Sequence, residues 1–151
     1  MPQLQPVKNK NDPRHVRRIK NMQAIYAHLF GNSQPQGPDL KKILVHLKKI
    51  DKIIKTNAPK WPLDKINKVD LSILRTAIWE LLYKKKTPPK VVIDEAVEMA
   101  KEFGSQTSHS FINGVLGSAV KKLKIITVKP SKNDQNTPTT TKKAGAEIQA
   151  N

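Results

Sequence analysis

Apolar residues recur along this chain at helical spacing, and they do so in five separate stretches. Spacings of three and four residues place side chains on one face of an α-helix, so each stretch predicts an amphipathic helix with one buried stripe. The first stretch carries Val16, Ile19, Met22, Ile25, Tyr26, Leu29 and Phe30. Asp12 suits its N-cap and Pro13 its first turn, so a helix is expected over residues 13–30, closed by Gly31. The second covers residues 40–57, opens at Asp39, and carries Leu40, Ile43, Leu44, Leu47, Ile50 and Ile54. After a bend in which Pro59 and Pro62 bracket Trp61, Asn67 and Asp70 open a third helix over residues 68–85. Leu71, Leu74, Ile78, Leu81 and Leu82 form its stripe, and Lys84, Lys85 and Lys86 complement the dipole at its end. Thr87, Pro88 and Pro89 then break the chain. A fourth helix opens around Lys90 with Val92, Ala96, Met99, Ala100 and Phe103, and Gly104 stops it. Ser105, Thr107 and Ser108 offer hydroxyls to cap the fifth, whose broad face holds Phe111, Ile112, Val115, Leu116, Ala119, Val120 and Leu123.

No stretch alternates with period two for long enough to require a sheet. Residues 125–128 are short and β-branched, compatible with a frayed helix end or a small extended piece. The expected class is all-α: a compact helical bundle of about five main helices around one core, with disordered N- and C-terminal tails. A basic arm is expected over residues 1–11, the helical domain over 12–126, and a polar tail over 127–151. Residues 31–39 read as a loop from their Gly and Pro content.

Charge narrows the function. The chain has 28 Lys and Arg against 12 Asp and Glu, a net charge of +16, which favours a polyanionic partner. The density is highest at the front, with six basic residues and one acidic in residues 1–20. There Arg14, Arg17, Arg18 and Asn21 fall on a shared polar face of the first helix. The absence of cysteine excludes a disulfide scaffold, a thiolate metal site and a Cys nucleophile. No apolar run approaches the ~20 residues that span a bilayer. The opening residues lack the apolar core of a secretory signal, so a cytoplasmic protein without a membrane partner is expected.

An enzyme is not expected. His15, His28, His46 and His109 lie on different elements without metal-ligand spacing. Asp94, Glu95, Glu98 and Glu102 form an acidic helix face with no histidine three residues from a glutamate. The six glycines make no phosphate loop. Neither a metal nor a cofactor is called for.

The order of motifs resembles the NusB family of transcription antitermination factors. Residues 93–116 match its closing signature: an acidic-Glu-Ala-hydrophobic helix, a Gly/Ser turn, then Phe111, Ile112, Asn113, Gly114, Val115 and Leu116. Val69, Asp70, Ile73, Leu74, Arg75, Ala77, Glu80, Leu81 and Leu82 match its central helix. Arg14, Arg17 and Arg18 before Gln23, Ala24, Ile25 and Tyr26 resemble its Arg-rich opening. Two departures stand out. The family usually has more chain, including another helix, between Phe30 and Leu40, so the N-terminal half looks shortened. It also often has an acidic residue where Thr107 stands.

The resemblance implies a factor in transcription antitermination and termination that binds boxA-type single-stranded RNA of ribosomal RNA transcripts. It also implies the partner NusE, a small ribosomal protein, and the transcription elongation complex. Family members occur as monomers and as homodimers. The implied RNA contacts are Arg14, Arg17, Arg18, Asn21, Thr107, Ser108 and Phe111, and the implied partner contacts are Tyr26 and Glu80. Blander roles compete. Phe111 suits the core, Glu80 an ordinary exposed helix position, and Asn113 and Gly114 helix packing. The alternative function is a helical protein-interaction module with only non-specific electrostatic RNA binding.

Overall fold

A computed structural model describes residues 11–31 and 36–124. The expected arm, the expected tail and the fragment 125–128 lie outside the described residues, apart from Asn11. The described residues form six α-helices and one 3-10 turn, with no strand among them. The helices are α1 (Pro13–Leu29), α2 (Leu40–Val45), α3 (Leu47–Asn57), α4 (Lys68–Tyr83), α5 (Pro89–Phe103) and α6 (Ser108–Lys122). The 3-10 turn, Leu63–Lys65, lies between α3 and α4.

The starts and stops follow local chemistry. Asp12 accepts the Arg14 N–H at 2.8 Å, and Pro13 occupies the first turn of α1. Asn67 accepts from the N–H groups of Val69 (2.8 Å) and Asp70 (3.2 Å) to open α4. Pro89 opens α5. Gly104 closes α5 in extended backbone, at a point where nothing larger fits. A Cβ there would lie 2.6 Å from Ser108 Oγ and 2.8 Å from the Ala100 carbonyl oxygen. Capping of α6 runs opposite to expectation: Thr107 makes no side-chain cap, while Ser108 Oγ reaches back to accept the Ser105 N–H at 2.9 Å.

The second expected helix is two. The break falls at His46, whose φ of −106° and ψ of 13° depart from helical values, although neither Gly nor Pro is present. A tertiary contact accompanies it. The His46 ring stacks on Tyr83 of α4 with centroids 4.2 Å apart, and the Tyr83 hydroxyl lies 3.2 Å from Nδ1. Leu40 and Ile43 of α2 and Ile50 and Ile54 of α3 all reach the core, leaving Val45 exposed at the bend.

Helix α4 is the axis of the domain, packed against α1, α3, α5 and α6. Its buried residues run without interruption from Asp70 to Leu81, so its polar groups need internal partners. Ser72 and Thr76 donate their hydroxyls one turn back, at 2.8 and 3.0 Å. Arg75 forks onto Asp51 of α3 with two bonds of 2.9 Å. The other stripes pack around this axis, with Ile25, Ile50, Ile54, Val92, Ala100, Ile112 and Leu116 inaccessible or nearly so. Asn113 and Gly114, read as packing residues, are instead exposed, and nothing lies within 4 Å of a Cβ built at Gly114.

Candidate nucleic-acid interface

The start of α1 lies against the second half of α4 and the first half of α5, and charged side chains hold the junction. Arg18 donates from Nε to Glu80 Oε2 at 2.8 Å and from Nη2 to Glu80 Oε1 at 3.0 Å. Its Nη1 lies 3.9 Å from Glu95 Oε1, which is also 3.0 Å from His15 Nδ1. Only 12% of the Arg18 side chain and 9% of the Glu80 side chain are exposed. A bidentate fork between two nearly desolvated ions commits Nε and Nη2 of Arg18 and both oxygens of Glu80 to each other. Arg18, expected at the RNA surface, and Glu80, expected at a partner surface, therefore bind each other inside the bundle.

Asn21 is likewise internal. It donates to Asp39 Oδ2 at 2.9 Å, and its own side-chain oxygen accepts the Asp39 N–H at the same distance. Arg17 completes this cluster with two 2.8 Å bonds to Asp39, and it holds the Asp39 carboxyl below its ordinary pKa. The same contact raises the pKa of Arg17. The cluster pins the α1–α2 connection to the flank of α1. Gly37 makes this approach feasible, since a Cβ there would lie 2.7 Å from that of Ala24.

What remains at the surface is Arg14 and half of Arg17. Arg14 pairs with Asp12 through bonds of 3.1 and 2.9 Å and lowers the Asp12 pKa to about 2, yet 81% of its side chain is exposed. Arg17 is 51% exposed. Each guanidinium uses Nε and Nη2 on its carboxylate and keeps its Nη1 side open. Lysines that sequence patterning assigned only to a helix end extend this cationic face. Lys84 lies 5.6 Å over the Trp79 ring and lines a groove with Arg14, Arg17 and Thr87. Lys86 lines a neighbouring groove of about 290 Å³ with Arg14, His15 and Arg18. The run of three lysines was the available signal, but their placement beside α1 is tertiary.

The other expected RNA contacts lie elsewhere. Thr107 and Phe111 line a groove at the N-terminal end of α4, with Trp61 and Asp70. Ser108, expected with them, is buried and engaged by Ser105. Asp70 and Lys84 are fourteen residues apart on and just beyond α4, about 20 Å at 1.5 Å per residue. The cationic grooves and the aromatic groove are thus separate, near opposite ends of one helix. Tyr26 and Phe30 lie at the far end of α1, both exposed, with ring centroids 5.0 Å apart. Among the described residues, no group of three or more His, Cys, Asp and Glu could hold a metal. No described helix is long and apolar enough to cross a membrane.

Comparison with known proteins gives this geometry a family. The NusB family model matches residues 40–121, more than half of the chain. The transcription antitermination protein NusB of Finegoldia magna is 52% identical over 77 residues, 51% of this chain and 56% of that protein. The NusB of Alkaliphilus oremlandii is 38% identical over 114 residues, 72% of this chain and 83% of that protein. The alignments thus span from little more than half to most of these relatives' length. The crystal structure of T. maritima NusB superposes with a TM-score of 0.65 at 30% identity, covering 74% of this chain and 92% of that one. The central helix, the closing hairpin and the matched span agree: this chain belongs to the NusB family.

Proposed function

We propose that this chain is a transcription antitermination factor that binds boxA-type single-stranded RNA of ribosomal RNA transcripts, together with NusE, in the cytoplasm. The observation that carries this reading is the exposed cationic face of Arg14, Arg17, Lys84 and Lys86, set on a framework of buried ion pairs in a NusB-family chain. Arginine forks match phosphate geometry and lysines add point charge, so affinity for a strand falls as salt rises. Arg18, Asn21 and Glu80 act by positioning: they fix the register of α1 on α4. Tyr26 and Phe30 supply the exposed aromatic surface for NusE, and so for attachment to the elongation complex. Thr107 and Phe111 meet the strand about 20 Å further along α4.

A second reading has its own support. Lys41, Lys42, Lys48, Lys49, Lys52 and Lys55 on α2 and α3 are all exposed, and none has an acidic partner among the described residues. Such a face suits non-specific attraction to nucleic acid. A titration with boxA-like and scrambled RNA, with and without NusE, at two salt concentrations separates the readings. Specific recognition predicts a preference for boxA that survives high salt and grows with NusE. Equal binding of both RNAs, vanishing together at high salt, would leave only the electrostatic module.

A further inference from the structure

The groove at the N-terminal end of α4 has a volume of about 350 Å³, enough for one flat heterocycle. Its walls are aromatic. Trp61, held between Pro59 and Pro62, is 52% exposed and stands edge-on to Phe111, with ring centroids 6.3 Å apart and planes at 75°. That arrangement leaves indole surface open for stacking, and base–aromatic stacking tolerates any base. Lys65 also lines the groove and is exposed, placed to meet a phosphate.

The polar lining does not look like a plain stacking shelf. Asp70 is 94% buried by its 6% exposure, and its Oδ1 has no hydrogen-bond partner among the described residues. Nearby groups leave Oδ1 unpartnered. Asn67 presents its side-chain oxygen to the N–H groups of Val69 and Asp70. The Ser108 hydroxyl favours the ionised carboxyl while its oxygen accepts the Ser105 N–H at 2.9 Å, yet Oδ1 itself has no partner among the described residues. Burial acts against the charge and raises the Asp70 pKa. A buried carboxylate oxygen without a partner at the edge of a groove calls for a donor.

We propose that this groove takes one unpaired nucleobase of the bound strand and that Asp70 reads its Watson–Crick edge, selecting guanine. Guanine carries two adjacent donors there, N1–H and the N2 amine, which match the two oxygens of a carboxylate. Adenine and cytosine offer one amine beside an acceptor nitrogen. Uracil offers one N–H between two carbonyl oxygens, which a carboxylate repels. Trp61 supplies the stacking and Asp70 the choice. The inference rests on the RNA-binding reading above and adds a base identity to it.

The test is a fluorescence-anisotropy titration of the full chain with uridine dodecamers that carry guanine, adenine, cytosine or inosine at one central position. The guanine oligomer is expected to bind about tenfold tighter than all-uridine. Inosine, which lacks the N2 amine, should lose much of that gain. Asp70→Asn should bring the oligomers to within about twofold of one another without changing the salt slope. Trp61→Ala should weaken all of them by about tenfold. Equal binding of all oligomers by the unaltered chain overturns the proposal without any variant having to fold. So does a guanine preference that persists in an Asp70→Asn protein with an unaltered circular-dichroism melt. If Arg14→Ala weakens every oligomer while base preference is absent, RNA binding stands and the base site alone falls. If no oligomer binds, both fall.

Discussion

Removing one member of the Arg18–Glu80 pair should unfold the junction between α1 and α4 far more than it disturbs RNA contact. The two side chains are 12% and 9% exposed and joined by bonds of 2.8 and 3.0 Å. Glu80→Ala leaves the guanidinium with only Glu95, 3.9 Å from Nη1 and already shared with His15. Stranding a buried charge costs about 3–5 kcal/mol. For a domain of this size that is a fall in Tm of roughly 10–20 °C. Arg18→Ala should cost a similar amount. The double change Arg18→Leu with Glu80→Leu should cost less than either single change, because no charge is stranded. Urea unfolding followed through the fluorescence of Trp79, which is buried on α4, gives the free energies and their coupling. Below the melting range, Arg18→Ala should keep the salt slope of RNA binding. A loss below about 1 kcal/mol for both single changes, or a salt slope that falls in Arg18→Ala, would refute a positioning role.

Two further outcomes follow from the same packing. Leu116 is fully buried on α6, so Leu116→Ala should cost about 2–5 kcal/mol in urea unfolding, and an unchanged melt would show the closing hairpin to be misassigned. Asp39 has a folded pKa below its unfolded value because Arg17 and Asn21 bind its charged form, so the unfolded chain takes up its proton first as pH falls. The stability it confers is therefore complete above about pH 4 and is lost as pH drops through the folded value. Asp39→Asn should flatten the fall of the urea midpoint between neutral and strongly acid pH, and parallel curves for the two proteins would exclude this source of acid sensitivity.

Helical periodicity made the stripes legible, because a helix with one wet face must repeat its apolar residues every three or four positions. Leu40, Ile43, Ile50, Leu74, Ile78, Met99 and Leu116 are buried as that rule requires. The rule says less about α4, which is buried nearly all round. There Arg75 and Glu80 resemble surface positions in one dimension and are internal in three. Their partners, Asp51 and Arg18, are 24 and 62 residues away, a separation no local pattern encodes. The same limit hid the exchange of roles in the basic face. Spacing groups Arg18 with Arg14 and Arg17 on α1, yet it turns toward Glu80, while Lys84 and Lys86 arrive from the end of α4. The break at His46 escaped for a related reason: it is accompanied by a stack on Tyr83 rather than marked by a local helix breaker. Trp61 was visible as a bend residue, but its role as a groove wall depends on Phe111, fifty positions further on.

The central claim is that a few exposed cations on a rigid α1–α4 junction meet the phosphates of a single strand. It is tested most directly by the salt dependence of binding to boxA-like RNA for the unaltered chain and for Arg14→Ala with Arg17→Ala. Each phosphate contact contributes about 0.7 to the slope of log affinity against log salt for a single strand, so losing two should flatten the slope by about 1.4. A slope that stays unchanged in a folded double variant would place the strand elsewhere and contradict the account.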